Sequence, residues 1–448
     1  MNRSKKLLIL GLVLLALCGG TLAASRLTLE APAQTETETA TTIFTLAPET
    51  VTSLQWEYRE DLTFHRDGEG WVYEESDAFP VDGSYLEAIL AALSQVDSYK
   101  TIENIENWDT YGLEIPVCTI SLTADTTYDL AIGIETTLGG QRYFSIGDGR
   151  VYLVDSTILE PFQYTLYDLI APQEMPQVEQ VTAMTVTTPE GSYTLRYDPD
   201  SGRTYSDDYV WFWEDTALDT GEAESLIGVV TQLSLSQCEN YQAQDLSQYG
   251  LEEPSLSVTV YDNGVESYTL PISAPEGGSC YVQLPGTHMV YTIDDAIYET
   301  LRYTTAADLM PTDVLRMDWD TVTAVTLSLD GESHTFTSTQ KEVTGEDGTT
   351  ATETLWQQNS QEVALGALLT EVTGLSATGT AAGLLPQGDA LLTLEINRPR
   401  DTFAQITLAL YPYSSDKCLV TLDGEPTVTV SRQAGCELVE SFRLLLEK

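Results

Sequence analysis

Basic residues are scarce in this sequence. Its 448 residues include 20 lysines and arginines against 69 aspartates and glutamates, so the formal net charge is −49. Binding to nucleic acid requires clustered basic side chains that neutralise phosphates, so we expect no nucleic acid as a partner. Hydrophobic residues make up 42% of the chain, an ordinary globular value, which excludes an acidic disordered polymer.

Groups that carry catalysis or bind metals are also few. His65, His288 and His334 are the only histidines, and none has a second ligand at zinc-like spacing. The sequence contains no Gly-x-Ser-x-Gly nucleophile motif and no glycine-rich phosphate loop. We therefore assign no catalytic residue, no metal ligand and no cofactor, and we expect a protein that is not an enzyme.

Cysteines are few and occur mainly in strand-like segments. Cys118, Cys280 and Cys418 alternate in phase with apolar neighbours, which favours small buried hydrophobes over disulfides. Five cysteines follow the amino-terminal apolar segment, and an odd number cannot pair completely within one chain. Cys418 with Cys436 is the pair to check first.

Two features leave a polysaccharide-acting hydrolase open as an alternative. Asp207-Asp208 and Asp294-Asp295 are adjacent carboxylates, although solvated loops and helix caps are their expected roles. Tyr209, Trp211 and Trp213 lie on one face of a predicted strand, where an exposed aromatic ladder could contact a glycan or a protein partner. Both faces of this strand are apolar, which favours burial on both sides.

The amino terminus predicts export. Arg3, Lys5 and Lys6 precede an apolar run that covers residues 7–24, which is 18 residues and just enough to cross a bilayer. We expect a retained single anchor (residues 1–24) in the cell membrane with the body outside the cytoplasm. Secretion after signal cleavage is the alternative, and lipid attachment at Cys18 is a third. Residues 25–50 follow as a polar Thr/Glu linker.

The body of the chain shows internal similarity. Three segments begin alike, with Val-Thr-Ser-Leu at 51–54, Val-Thr-Ala-Met at 181–184 and Val-Thr-Ala-Val at 322–325. In each segment, strand-like alternation is followed by one helix with apolar residues at i, i+3, i+4 and i+7. These stripes are Leu86, Ile89, Leu90 and Leu93; Leu226, Val229, Val230 and Leu233; and Leu365, Leu368, Leu369 and Val372. Asp82 and Thr220 are the expected helix N-caps.

A turn motif follows two of these helices. Tyr-Gly-Leu-Glu-x-Pro occurs at residues 111–116 and 249–254, and turn chemistry alone explains it as a structural corner. Alternating strands come next, so the fold class is α+β, with three tandem units that are mainly antiparallel sheet with one packed helix each. The predicted units cover residues 51–176, 177–316 and a divergent 317–448.

These motifs together resemble the bacterial domain-of-unknown-function family 4340. The resemblance is carried by Gly70-Trp71, Phe79-Pro80-Val81-Asp82, the Tyr-Gly-Leu turn at 111–113, Ile132-Gly133 and Asp168-Leu169. It is best over residues 51–176 and weakest over 322–448. Genes of this family commonly lie beside membrane components of gliding-type ABC transporters, so the resemblance implies an envelope protein and supplies no catalytic residue.

We therefore expect a non-enzymatic, membrane-anchored extracytoplasmic scaffold or binding protein that is accessory to an ABC-type transporter or envelope complex. Its expected partners are transporter membrane subunits, with cell-wall glycan as a further possibility. The alternatives are a secreted or anchored polysaccharide-acting hydrolase and a glycan-binding protein without catalysis.

Overall fold

The computed structural model of the protein describes residues 40–68, 70–344, 350–381 and 383–447. The predicted anchor at residues 1–24 and the first part of the predicted linker lie outside these ranges. Within them, no helix is both long and apolar enough to cross a membrane. The chain divides into two compact units, the first ending at Ala171 and the second beginning at Pro172.

The first unit is built on an eight-stranded antiparallel sheet. The strands of this unit are β1 (Thr41–Thr45), β2 (Ser53–Glu57), β3 (Asp61–Asp67), β4 (Gly70–Tyr73), β5 (Gln95–Ser98), β6 (Lys100–Ile102), β7 (Cys118–Thr123), β8 (Thr127–Glu135), β9 (Gln141–Ser145) and β10 (Val151–Asp155). The sheet has the order β4-β3-β2-β7-β8-β9-β10-β6, and β1 pairs with β5 in a separate two-stranded sheet.

Residues 41–50 lie in this fold, whereas the sequence assigned them to the spacer. Strand β1 pairs with β5, and Thr42 donates a hydrogen bond to Asp97 at 2.6 Å. Phe44 and Leu46 are buried. The pairing of β1 and the burial of these two side chains therefore make residues 41–46 part of the fold of the first unit.

Helix α1 (Gly83–Leu93) covers the core of the first unit. The Asp82 carboxylate accepts a hydrogen bond from the backbone N–H of Ser84 at 3.0 Å, which makes it the N-cap. The predicted apolar stripe is confirmed, because four side chains of the helix are fully buried, namely Leu86, Ile89, Leu90 and Leu93.

The second unit contains two nine-stranded antiparallel sheets. The first has β11 (Val181–Thr188), β12 (Gly191–Tyr197), β13 (Trp211–Trp213), β14 (Thr216–Ala217), β15 (Cys238–Asn240), β16 (Leu256–Asp262), β17 (Val265–Ile272), β18 (Ser279–Gln283) and β19 (Val290–Asp294). The second has β20 (Ala324–Leu329), β21 (Glu332–Thr344), β22 (Thr350–Gln358), β23 (Gln361–Val363), β24 (Gly379–Thr380), β25 (Leu392–Asn397), β26 (Gln405–Pro412), β27 (Lys417–Leu422) and β28 (Glu425–Ser431).

The three large sheets share one path of the chain. The first strand is central, and the next strands extend outward on one side. A helix follows, then a short strand at the opposite edge, and four further strands fill the space between. Both edges of every large sheet are strands of only two to four residues. The fold is therefore mostly antiparallel β-sheet with few helices.

The described residues of the second unit include the helices α2 (Thr220–Thr231), α3 (Asp295–Tyr303), α4 (Leu365–Thr373) and α5 (Arg432–Leu446). The N-cap of α2 is Asp219, one residue before the predicted Thr220. The most deeply buried face of α2 consists of Ala223, Leu226, Ile227 and Val230, so it differs from the predicted stripe. The stripe of α4 is confirmed.

Each large sheet has its core on one face. In β20, the buried residues Val325, Leu327 and Leu329 alternate with half-buried polar ones. The opposite face of the same strand carries Thr326 and Ser328, whose hydroxyls bond to hydroxyls of β21 at 3.1 and 2.8 Å. Helices thus cover one face, and rows of hydroxyls occupy the other.

The Asp-Leu pairs at 168–169 and 308–309 end short 3₁₀ turns, and each turn is hydrogen-bonded to the first residues of a helix. In Leu166–Leu169, the Asp168 carboxylate accepts hydrogen bonds from the backbone and hydroxyl of Thr165, and Asp308 does the same with Thr305. The carbonyl of Leu169, the residue after Asp168, accepts a hydrogen bond of 2.8 Å from the backbone N–H of Asp82, the N-cap of α1. In the same way, the carbonyl of Leu309 accepts a hydrogen bond of 2.8 Å from the backbone N–H of Asp219. Each turn is therefore tied to the helix of its own sheet.

The two Tyr-Gly-Leu motifs form matching corners, as predicted. Gly112 has φ 61° and Gly250 has φ 64°, and each ends a 3₁₀ turn. The leucine after each glycine, Leu113 or Leu251, is buried, and its N–H bonds back to a carbonyl five residues earlier.

Candidate functional site

The three aromatic residues predicted as a surface do not form an exposed ladder. Tyr209 and Trp211 are buried, and Trp213 is half-buried. Trp213 stacks on Tyr193 with ring centroids 4.1 Å apart. Trp211 lies against Tyr197, with centroids 5.3 Å apart. These rings are therefore packed within the second unit.

The other face of β13 is covered by the loop that joins β12 to β13. Phe212 is fully buried, and the Arg203 guanidinium lies 4.3 Å from its ring centroid. Arg203 also pairs with Asp198 at 3.0 Å and with Asp215 at 3.1 Å. The aromatic strand is thus covered on both sides, as its apolar pattern suggested.

The same loop carries Asp207 and Asp208, and both carboxylates are held by arginines. The Arg400 guanidinium donates two hydrogen bonds to the Asp207 carboxylate. Arg316 donates from Nε to Asp208 at 2.8 Å. A hydrogen bond from Arg400 lowers the pKa of the Asp207 carboxyl below its usual value. We name the group formed by Asp207, Asp208, Arg316, Arg398 and Arg400 the arginine junction. It joins loops of the two sheets of the second unit.

Arg398 is the buried member of the arginine junction, with 6% of its surface exposed. Its guanidinium donates to the carbonyl of Tyr205 at 2.8 Å and twice to the carbonyl of Phe403, at 3.1 and 3.2 Å. Burial, with the charge of Arg400, lowers the pKa of Arg398. The side chain therefore links two loops that are distant in the sequence.

Two tyrosines extend the arginine junction inward. Burial and the Asp313 carboxylate raise the pKa of Tyr205 to about 12. Burial also raises the pKa of Tyr209, whose hydroxyl finds no hydrogen-bond partner among the described residues. Both phenols stay neutral at physiological pH, so the charge of this region belongs to the arginines and aspartates.

The hydroxyl-bearing faces form shallow depressions. In the second unit, a depression of about 530 Å³ is lined by Thr182, Thr185, Thr194, Arg196, Tyr197 and Tyr261, among others. In the first unit, one of about 380 Å³ lies over β2, β7 and β8, where Ser121 donates to Asp129 at 2.9 Å. The depression of the second unit presents hydroxyls and the Arg196 guanidinium, whereas that of the first unit presents hydroxyls and the carboxylates of Glu57 and Asp129.

The cysteines and acidic residues form no metal centre in the part of the chain that the structure describes. Cys118, Cys280 and Cys418 are buried free thiols in strands, as the alternation predicted. Burial raises the pKa of the Cys118 thiol to about 12. Cys436 is an exposed free thiol and is not bonded to Cys418.

The strand order defines a mostly antiparallel β-protein, in which large sheets of similar strand order follow one another along the chain. Comparison with known families adds one finding: the family described as a domain of unknown function, DUF4340, matches residues 71–210 and 213–392, more than half of the chain. The chain therefore belongs to the DUF4340 family. No curated protein and no solved structure matches it.

Sequence reasoning missed the arginine junction. Asp207 was noted as half of a carboxylate pair, but its partner Arg400 lies 193 residues further along the chain. The available signal was composition, since four of only 20 basic residues gather around one loop, namely Arg203, Arg316, Arg398 and Arg400.

Proposed function

We propose that this protein is a non-enzymatic, membrane-anchored extracytoplasmic scaffold or binding protein, accessory to an ABC-type transporter or envelope complex. The anchor is the apolar segment at residues 7–24, and the body is the acidic, sheet-rich remainder. Its partners are membrane subunits of that complex.

The arginine junction is the observation that carries this proposal. A scaffold must hold its binding surfaces at fixed relative positions. In the second unit, the buried guanidinium of Arg398 joins the loop at Tyr205 to the loop at Phe403, and Arg400 clamps Asp207 with two parallel hydrogen bonds. Such bidentate pairs are geometrically specific. Basic residues that are rare in this chain are thus used to join two sheets.

The same contacts disfavour the hydrolase alternative. Asp207 and Asp208 were the carboxylate pair nearest to the aromatic strand. Hydrogen bonds from Arg400 lower the pKa of the Asp207 carboxyl, which opposes a role of Asp207 as general acid, and the Asp208 carboxylate is bonded to Arg316. The rings of Trp211 and Trp213 pack against Tyr197 and Tyr193, so these two tryptophans do not form the exposed ladder on which a sugar could stack.

We further propose that the body consists of three copies of one unit, at residues 51–176, 177–316 and 317–448. The shared path of the chain through the three large sheets supports this division. The capping boxes at Thr165–Asp168 and Thr305–Asp308 support two of the boundaries, because each ties the end of a unit to its own helix.

Co-purification tests the scaffold proposal. The tagged full chain is isolated from detergent-solubilised membranes of the cells that make it, and associated proteins are identified by mass spectrometry. We expect transporter permease or ATPase subunits with the wild type, and fewer with Arg398→Ala. Arg443→Ala is the control, because it removes an exposed ion pair with Asp330 away from the arginine junction. Recovery of no membrane protein with the wild type would count decisively against the proposal.

Glycan binding without catalysis is a second candidate, favoured by the hydroxyl-lined depression of the second unit. Thr185 and Thr194 bond to each other at 2.9 Å within it, beside Arg196 and Tyr261. Pull-down on purified cell wall tests this idea. Retention that is lost when Tyr261 is changed to Ala would support it, and absence of retention by the wild type would remove it.

A further inference from the structure

A tryptophan, a glutamate and an arginine form a mutually bonded cluster in the first unit. Trp71 donates from its indole Nε1 to the Glu87 carboxylate at 2.9 Å, and Arg66 donates to the same oxygen at 2.6 Å. The Arg66 guanidinium carbon lies 4.5 Å from the Trp71 ring centroid. The guanidinium is thus held between an aromatic ring and a carboxylate.

The second unit keeps two of these three groups at the matching positions. Arg66 faces Trp71 across β3 and β4, and Tyr197 faces Trp211 across β12 and β13. On the helices, Glu87 is the fifth residue after its N-cap and Glu224 is the fifth residue after Asp219. The tryptophan and the glutamate therefore recur, and a tyrosine replaces the arginine.

This replacement leaves an open cleft and an unsatisfied donor. The cleft has a volume of about 290 Å³ and is lined by Gln180, Tyr197, Trp211, Glu224, Ile227 and Thr231, among others. Trp211 is only 3% exposed, and its indole Nε1 is buried with no hydrogen-bond partner in the described chain. Leaving such a donor unpaired is costly, so the site is incomplete as it stands.

The Glu224 carboxylate is exposed, and no basic group of the described residues lies within 4 Å of it. In the last sheet, Trp356 faces Ser338, and the α4 residue beside the Trp356 indole is Gly366, where a Cβ would lie 3.8 Å from Cδ1 of the ring, so the helix presents no carboxylate there. Of the three tryptophan positions, only that of Trp211 combines an open cleft with a free carboxylate.

We propose that this cleft binds the guanidinium of an arginine side chain supplied by a partner protein. Glu224 then bridges the guanidinium and the indole N–H of Trp211, as Glu87 does with Arg66 and Trp71 in the first unit. The first unit shows that this protein's own geometry accepts a guanidinium at such a position. A chain with a net charge of −49 also attracts a basic partner segment.

The proposal rests on the proposed function only in taking the arginine from a partner protein. Its test uses the purified full chain and a synthetic peptide, so it can fail while co-purification from membranes succeeds, and the reverse also holds.

The experiment is a ¹⁹F NMR titration of the full chain labelled with 5-fluorotryptophan, with the Trp211 resonance assigned by Trp211→Phe. The probe is an end-blocked Gly-Arg-Gly peptide, and the comparison peptides carry citrulline or lysine in place of arginine. We expect a saturable shift of the Trp211 resonance with arginine, at least tenfold weaker binding with lysine and no shift with citrulline.

Variants separate the cleft from general charge attraction. Glu224→Gln is expected to weaken binding at least tenfold, whereas Glu222→Gln, an exposed glutamate of the same helix that does not line the cleft, should bind as the wild type. Tyr197→Arg should fill the cleft from within, shift the Trp211 resonance without peptide and abolish the response.

Three results would overturn the proposal. They are equal binding of the arginine and citrulline peptides, wild-type binding by Glu224→Gln, and no saturable shift with the arginine peptide. Tighter binding of free L-arginine than of the blocked peptide would overturn the assignment to a protein partner. If Tyr197→Arg does not fold, as judged by circular dichroism, the Glu224→Gln result decides alone.

Discussion

Gly112→Ala and Gly250→Ala form a matched pair that separates backbone strain from crowding. The two glycines have φ values of 61° and 64°, so alanine costs about 1–2 kcal/mol at either position. A Cβ at position 112 would lie 2.5 Å from Ile134 Cγ2 and 3.0 Å from Ile134 N, whereas at position 250 the nearest of these contacts is Ser273 Cβ at 3.7 Å. Overpacking adds about 1–3 kcal/mol. We expect losses of about 2–5 kcal/mol for Gly112→Ala and about 1–2 kcal/mol for Gly250→Ala.

Urea unfolding monitored by hydrogen exchange and mass spectrometry measures both losses. Peptides from residues 40–171 report the first unit and those from 172–447 report the second. Adding Ile134→Ala to Gly112→Ala should restore part of the loss, because it removes the crowding methyl group. Equal losses at the two glycines, or no restoration in the double variant, would refute the role assigned to crowding.

Three further predictions concern the second unit and the thiols. Arg398→Ala removes the donor to two loop carbonyls, so it should lower the free energy of unfolding of the second unit by about 2–4 kcal/mol. Arg400→Ala should lower it by less than about 1 kcal/mol, because the ion pair of Arg400 is partly exposed. Urea unfolding compares the two variants, and an equal cost would contradict the role assigned to the buried Arg398. The pKa of Asp207 is lower in the folded state, so the stability contributed by this carboxylate is present above its unfolded pKa of about 3.9 and is lost as pH falls through the lower folded value. Asp207→Asn should therefore flatten the fall in melting temperature over that acidic range. An unchanged pH profile would argue against the ion pair of Asp207 with Arg400. Among the cysteines that the structure describes, only Cys436 is exposed, so iodoacetamide at pH 8 should alkylate Cys436 quickly. Cys118 is buried and its pKa is raised to about 12, so it should react only after unfolding. Mass spectrometry distinguishes the two sites, and rapid labelling of Cys118 in the folded protein would contradict its burial.

Local periodicity made the helices and corners predictable. The stripe in α1 and the stripe in α4 follow from i, i+3, i+4, i+7 spacing alone, and both are buried as expected. The Tyr-Gly-Leu corners follow from turn chemistry, because glycine accepts the positive φ that ends each 3₁₀ turn. Such features depend on a few neighbouring residues, so one sequence suffices.

Helix α2 shows where periodicity failed. Matching Leu226 to Leu86 moved the alignment of the two helices by three residues, because the small buried residue Ala223 was not counted in the stripe. Aligned by their N-caps, Leu86 matches Ala223 and Glu87 matches Glu224. The correspondence of Glu87 and Glu224, on which the proposed guanidinium site beside Trp211 rests, was therefore hidden by a shift of one helical turn.

The arginine junction depends on the tertiary fold and could not be read locally. Arg398 and the carbonyl of Tyr205 are separated by 193 residues, and nothing near either residue marks the other. Phe44 gives a smaller example, because one aromatic residue in a threonine-rich stretch looks like part of a spacer until β5 provides a pairing strand. Long-range pairing decides both cases.

The short edge strands limit one way in which another protein could bind to this fold. A partner that adds a strand to a sheet needs a long exposed edge with unpaired backbone groups. Here the outermost strands, such as Thr216–Ala217 and Gly379–Thr380, offer only two to four residues for such pairing. At these outermost strands, addition of a strand from a second copy of the chain is therefore disfavoured. The partner binding that we propose would then depend on side chains of the open faces and of the cleft beside Trp211, where single substitutions can tune it.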